Sequence, residues 1–217
     1  QQEEMATACF QDALKLDPGN ARAWNNLGNC LLSLAQHEQA LACHQRALQL
    51  NPRYAEAFYN CGNSLSALGR HEEAITRFRQ AIALRPHYPE AYNNLSQALD
   101  QLDRQEEALA CSEQALRLRP DFLDAVTNRA GYLEHLKRYP EAIAAYDHLL
   151  RLQPDHASAR SRQLHLRLKC CDWRDYHAQV AAICTAIAEG HDADSPFGFL
   201  SISHSPALQL ACARLRN

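Results

Sequence analysis

Asparagine recurs at a fixed interval along this chain, and its side chain suits one kind of recognition. One column places Asn at every 34th residue, and a second column, three residues later, holds an amide in three of its four places. A carboxamide carries both a donor and an acceptor, which is the pair that a peptide bond offers. The two columns predict a surface that holds extended polypeptide through its main chain. We call it the amide ladder: Asn26, Asn29, Asn60, Asn63, Asn94, Gln97 and Asn128.

The same amides have a second interpretation, in which they cap or brace a neighbouring helix and serve the fold. Charged residues near the two columns are likewise open to two interpretations. They predict a mildly acidic binding surface or, equally, a solvated charged rim of little specificity. The acidic residues concerned are Glu56, Glu90, Asp100, Asp124 and Glu134.

Residues with catalytic or metal-binding chemistry are present, but their spacing is not that of a site. The 11 histidines and nine cysteines form neither a CxxC nor an HExxH pattern. His37 and His71 occupy equivalent places 34 residues apart, so they are expected on the repeat surface. Seven glycines include no phosphate-binding loop. We therefore predict no catalytic residue, no metal and no cofactor, and assign the cysteines to packing in a reducing cytoplasm.

The elements that position the amide ladder follow from an internal repeat. Proline stands at the same place of each repeat, and so does a small residue: Pro18, Pro52, Pro86, Pro120, Pro154 and Ala6, Ala40, Ala74, Ala108, Ala142. Four full units follow, over 21–54, 55–88, 89–122 and 123–156. This 34-residue pattern resembles the tetratricopeptide repeat, in which each unit is a pair of helices.

Each unit is expected to form a first helix and a second helix, over 21–34 and 38–50 in the first unit. Gly28 and Ala40 are small where these helices cross, and Pro52 ends the second helix because it disfavours helical geometry in the residue before it. Stacked pairs bury a continuous core. The predicted fold is an all-α, right-handed superhelix (an α-solenoid), with the amide ladder along its concave surface and a helical linker at its C-terminal end.

Composition excludes two classes of partner. Hydrophobic residues make up 47% of the chain and the formal net charge is -3, with both signs interspersed. A nucleic-acid-binding surface usually needs a basic excess on one face, so we predict no nucleic-acid partner. The apolar runs are far shorter than the ~20 residues of a membrane helix, so we predict no membrane partner.

Both ends of the chain depart from the full repeat. Residues 1–20 match the second half of a unit, so further repeats are expected before residue 1. Residues 157–217 are expected to form a degenerate repeat helix, a helix over 175–189 that stops at Gly190, and a linker toward a further domain. In this linker we expect Trp173 to be buried, and Ser205 to cap another helix. The apolar residues expected to dock are Phe197, Phe199, Leu200 and Ile202.

Two stretches of the linker resemble one family more specifically. Cys171-Asp172-Trp173-Arg174-Asp175-Tyr176 and the later Ser-Pro motifs are similar to the junction in O-linked N-acetylglucosamine transferases and their SPINDLY-like relatives. The resemblance implies that this chain is the substrate-recognition part of a glycosyltransferase whose catalytic lobes lie after residue 217. The alternatives are an assembly scaffold without an enzyme, a module that forms a homodimer, and an enzyme complete within these residues.

Overall fold

The computed structural model describes residues 2–191, 198–199, 201–203 and 205–215, and within these ranges the chain is helical without strands. The helices are α1 (Gln2–Leu16), α2 (Ala21–Ser33), α3 (His37–Leu50), α4 (Ala55–Ala67), α5 (His71–Leu84), α6 (Pro89–Asp100), α7 (Gln105–Leu118), α8 (Leu123–His135), α9 (Tyr139–Leu152), α10 (Ala157–Lys169), α11 (Tyr176–Ala188) and α12 (Pro206–Arg214). In the described part of the chain, no helix is both long and apolar enough to span a membrane.

The helices pack as successive pairs within two compact units, residues 1–120 and 121–217. In the first unit the pairs are α2 with α3, α4 with α5, and α6 with α7, preceded by α1. In the second unit α8 pairs with α9, and α10 packs on α9. The predicted all-α solenoid of helix pairs is confirmed. Its observed first pair, 21–33 and 37–50, differs from the expected bounds by one residue at two ends.

The turn inside each helix pair repeats as faithfully as the helices do. One residue in each turn has left-handed geometry: Ala35, Gly69, Asp103, Lys137 and Cys171. The residue after it donates its main-chain N–H back to the helix, as from Gln36 to the Leu31 carbonyl at 2.9 Å and from Asp172 to the Arg167 carbonyl at 2.9 Å. This arrangement satisfies carbonyls that a helix end would leave without donors. The repeat geometry therefore extends to Asp172.

Glycine on the first helix makes room for a large side chain on the second. A Cβ atom at Gly28 would lie 2.4 Å from Nε2 of His44, and one at Gly62 would lie 2.6 Å from the Phe78 ring. His44 and Phe78 are both fully buried. The predicted close crossing at Gly28 is confirmed, and its cause is the imidazole that covers this glycine.

The end of the chain forms its own core in the second unit. Phe199 and Ile202 pack with Leu164, Ile183 and Ile187, so their predicted docking is confirmed. Ser205 caps α12 by accepting the Leu208 N–H, and Gly190 ends α11 with a left-handed φ of 87°. The predicted docking of Phe197 and Leu200 falls outside the described residues.

The prediction that Trp173 is buried is wrong, because this residue is 62% exposed. The repeat places a second helix at this residue, but α11 starts only at Tyr176, after Asp175 adopts a left-handed φ of 57°. Asp172 also bonds the Arg174 main chain and guanidinium, which keeps this segment in a turn. The indole therefore lies outside the core, and Tyr176 lies against its edge at 5.6 Å between ring centroids.

Candidate functional site

The amide ladder of the first unit lies on α2, α4 and α6, the first helices of three successive pairs. Residues three apart share a helix face, so each helix presents two of these side chains together. Five of the six are half-buried or exposed; Asn60 is the exception, at 8% exposure. Asn128 is half-buried at the corresponding position of α8, in the second unit.

Between α2 and α4, which we call the first interface, the amides bond below the surface. Asn60 donates from Nδ2 to Oδ1 of Asn25 at 3.0 Å. Asn25 is fully buried, and its own Nδ2 has no partner within the described residues. Asn29 does not bond to Asn60; its Oδ1 lies 3.2 Å from Nε2 of His44.

Between α4 and α6, the second interface, the equivalent amide bonds differently. Asn94 donates from Nδ2 to Oδ1 of Asn63 at 2.8 Å and lies 3.1 Å from the Tyr59 hydroxyl. Its Oδ1 accepts from Nδ2 of Asn93 at 3.4 Å. Asn94 remains half-buried, whereas Asn60 is nearly enclosed. The two interfaces therefore use the same column of asparagines in two different bonding patterns.

These contacts leave a specific set of polar groups without a protein partner. Asn26 and Gln97 make no side-chain hydrogen bond in the part of the chain that the structure describes. Asn29 and Asn63 use their oxygens within the fold, and no bond within the described residues uses their Nδ2 groups. The surface of the first unit thus offers N–H donors together with two complete carboxamides.

His44 is a buried titratable group that contacts the amide ladder. Its imidazole is fully enclosed, with Nδ1 at 3.0 Å from the Ser64 hydroxyl and Nε2 at 3.2 Å from Asn29. Burial lowers the pKa of His44 to about 4, partly offset by a hydrogen bond with the Asn25 main chain. The ring is therefore neutral at pH 7. The Asn29 oxygen is an acceptor, so it fits a proton on Nε2, and Nδ1 then accepts from the Ser64 hydroxyl. That hydroxyl also lies 3.2 Å from the Asn60 carbonyl, and it donates to one of these two acceptors at a time.

Several of the acidic residues predicted near the ladder have partners in the fold. Glu90 pairs with Arg119, and Asp100 accepts a hydrogen bond from Gln105 at 2.7 Å. In the second unit, Glu134 accepts from the Tyr146 hydroxyl at 3.1 Å. Such pairing reduces the charge available to a ligand, which favours the interpretation of a charged rim at these positions.

The structure offers no metal-binding cluster in the residues it describes. Groups of three or more His, Cys, Asp and Glu side chains placed for an ion do not occur there. His37 and His71 are the first residues of α3 and α5, so both lie at the turn between paired helices. All nine cysteines are free thiols.

Sequence reasoning missed three residues that organise this surface: Asn25, Tyr59 and His44. The first two stand one position before the predicted column, and both accept hydrogen bonds from it. Their signal was present, because Asn25 and Asn93 repeat in the same register. His44 had a signal too, since it is a histidine in a column that elsewhere holds Phe78 and Tyr146.

The fold is similar to several solved structures. One is YrrB, a tetratricopeptide repeat protein, with a TM-score of 0.70 and 20% identity over 94% of this chain and 97% of that one. Another is PilF of Pseudomonas aeruginosa, with a TM-score of 0.78 and 21% identity over 92% and 88% of the two chains. A third is MamA of Desulfovibrio magneticus RS-1, with a TM-score of 0.71 and 18% identity over 78% and 96%.

Family models agree with the structural similarity. A search of curated proteins finds no significant match to this sequence. Three models described as tetratricopeptide repeat match residues 19–87, 65–121 and 106–157. Taken together they cover most of the chain without a gap. The chain therefore belongs to the tetratricopeptide repeat family, with its repeats over residues 19–157.

Proposed function

We propose that this protein binds extended polypeptide along the amide ladder, mainly through the main chain of the ligand. The observation that carries the proposal is the set of amide groups without a partner on α2, α4 and α6. Asn29 and Asn63 have N–H groups for ligand carbonyls, while Asn26 and Gln97 can both donate and accept. A surface of this kind makes few demands on the ligand's side chains.

The spacing of the helices fits an extended ligand. Packed helices lie ~8–10 Å apart, and an extended chain advances ~3.3 Å per residue. Each helix would therefore meet the ligand about every third residue. Each net hydrogen bond contributes only ~0.5–1.5 kcal/mol, so binding depends on several helices together.

The similarity to YrrB supports this class of function. That protein is described as having an unusual peptide-binding site, and its fold extends over nearly all of this chain. At 20% identity the similarity concerns the fold alone. The residues proposed here come from this chain's own amides.

The test begins with a probe, an uncharged 12-residue peptide selected from a random library on the wild-type protein. Asn63→Asp keeps the oxygen that accepts from Asn94 but replaces the outward N–H donor by oxygen. We expect its affinity for the peptide to fall about 2- to 10-fold, the effect of one lost hydrogen bond. Gln80→Glu, on the exposed surface of α5, adds the same charge away from the ladder and is the matched control.

A second measurement uses the same peptide methylated on alternate main-chain nitrogens, which leaves its side chains unchanged. Recognition through the main chain predicts a large loss of affinity for the methylated peptide. Equal affinity for both peptides, together with wild-type affinity in Asn63→Asp, would contradict the proposal. A library that yields no binding peptide contradicts it as well.

We further propose that the bound polypeptide is the substrate of an O-linked N-acetylglucosamine transferase-like enzyme. Its support is the similarity of residues 171–176 and of the later Ser-Pro motifs to the junction in that family. The coding sequence after residue 217 tests it. Two nucleotide-sugar-binding lobes there support the enzyme, whereas an unrelated domain or a stop codon supports an assembly scaffold.

We also propose a reducing cytoplasm as the compartment, and a homodimer as the alternative state of assembly. In a homodimer, a helical-repeat surface would bind a second copy of this chain. Sedimentation equilibrium tests this, because a dimer has twice the mass of the monomer. A reducing cytoplasm suits nine free thiols. Fractionation of cells that express the intact protein tests this location.

A further inference from the structure

We propose that His44 determines which amides of the ladder face a ligand, by holding Asn29 and diverting Asn60 into the interior. The two interfaces provide the comparison. At the second interface Asn63 accepts from Asn94 at 2.8 Å, and Asn94 stays at the surface. At the first interface Asn29 is equivalent to Asn63, yet its oxygen faces His44 instead.

The difference between the interfaces begins under the ladder. His44 is equivalent to Phe78, and both rings cover a glycine on the first helix of the pair. A phenyl ring cannot hydrogen-bond to the asparagine next to that glycine, whereas the imidazole reaches Asn29 through Nε2 and Ser64 through Nδ1. The second interface has Ala98 where Ser64 stands, so the polar pair for an imidazole exists only at the first of these two interfaces.

The consequence for Asn60 follows from its hydrogen bonds. With the Asn29 oxygen engaged by His44, Nδ2 of Asn60 donates to the fully buried Asn25 at 3.0 Å. Asn60 is consequently 8% exposed. It braces α4 against α2, while Asn26 and Asn29 are the amides that the first interface displays.

Because Asn60 faces the interior while Asn26 and Asn29 face the surface, a ligand contacts only some of the ladder residues. That consequence rests on the proposed function. His44 acts as a positioning residue, since it is fully buried and reaches the ladder only through Asn29. Asn60 should matter for stability and little for binding. At the second interface, by contrast, Asn63 and Asn94 should affect binding.

The first experiment measures hydrogen exchange of the Asn60 side-chain NH₂ by NMR, in wild type and in His44→Phe. Phe78 over Gly62 shows that this fold accommodates a phenyl ring at this place. We expect slow exchange in wild type and faster exchange in His44→Phe, as Asn60 turns toward Asn29. Asn25→Ala removes the oxygen that accepts from Asn60, so it should also make exchange of the Asn60 NH₂ faster. Ser64→Ala keeps the His44 contact with Asn29 and should exchange as slowly as wild type.

The second experiment places Asn60→Ala in the wild-type and His44→Phe backgrounds and measures affinity for the selected 12-residue peptide. We expect a change of less than about twofold in wild type and a loss of about 2- to 10-fold in His44→Phe. Equal losses in both backgrounds would overturn the proposal, as would unchanged NH₂ exchange in His44→Phe. A wild-type protein that binds no peptide refutes the proposed function, and the exchange measurement then decides the role of His44 alone.

Discussion

Protonation of His44 should destabilise the protein in mild acid. Its imidazole is fully buried, and burial lowers its pKa from 6.5 to about 4. The unfolded chain then binds a proton more readily than the folded chain between these two values. The free energy of unfolding therefore falls as the pH drops below 6.5. The destabilisation due to His44 reaches its full size below pH 4.

The size of the effect follows from the two pKa values. Between pH 7 and pH 5, the linkage relation gives a loss of about 2 kcal/mol for this one group. For a protein of this length, 1 kcal/mol corresponds to roughly 2–4 °C in melting temperature. The expected fall is therefore about 4–8 °C beyond that caused by other groups.

The assay is urea or thermal unfolding at pH 7, 6 and 5 for wild type and His44→Phe. The variant lacks the imidazole and has the arrangement already present at Phe78 over Gly62. Every other titrating group is common to both proteins, so their difference isolates His44. We expect wild type to lose about 2 kcal/mol more than the variant across this range. Parallel pH profiles would refute the reasoning.

Three further predictions concern packing, thiols and ligands. Gly62→Ala should lower the free energy of unfolding by about 1–3 kcal/mol, because its Cβ would lie 2.6 Å from the Phe78 ring. Gly131→Ala is the control: apart from its chain neighbours and the backbone of its own helix turn, no heavy atom of the described residues lies within 4 Å of a Cβ placed there, so about 0.5–1 kcal/mol of stabilisation is expected in urea unfolding. Cys61, buried and with its pKa raised to about 11, should react with Ellman's reagent far more slowly than exposed Cys170 and Cys171; equal rates would contradict this. Calorimetry with UDP-N-acetylglucosamine should detect no binding to residues 1–217, and a micromolar dissociation constant would overturn that expectation.

The repeat itself was predictable because its signals are local and recur. Proline two residues beyond each second helix, and small residues at each crossing, determine helix ends and contacts without long-range information. The five left-handed turn residues were not predicted, because only Gly69 among them is a glycine. Their regular spacing nevertheless extends the repeat to Cys171.

The sequence predicts where the amide ladder lies along the chain, but it does not predict which hydrogen bonds its side chains form. Sequence identified the asparagine columns, yet Asn60 and Asn94 have the same identity and register and differ in burial. The cause is His44, which lies on another helix and acts through Asn29. A column of identical residues does not reveal such a contact, because it depends on which side chains of other helices lie next to each asparagine in the folded protein. Trp173 shows the same difficulty, since its exposure depends on where α11 begins.

The most direct test of main-chain recognition is an NMR titration of the asparagine side-chain NH₂ signals with the selected 12-residue peptide. We expect saturable shifts for Asn29 and Asn63, whose Nδ2 groups are available to a ligand, with the NH₂ signal of Asn60 unchanged. A peptide that binds tightly while the signals of Asn29 and Asn63 stay in place would contradict the central claim.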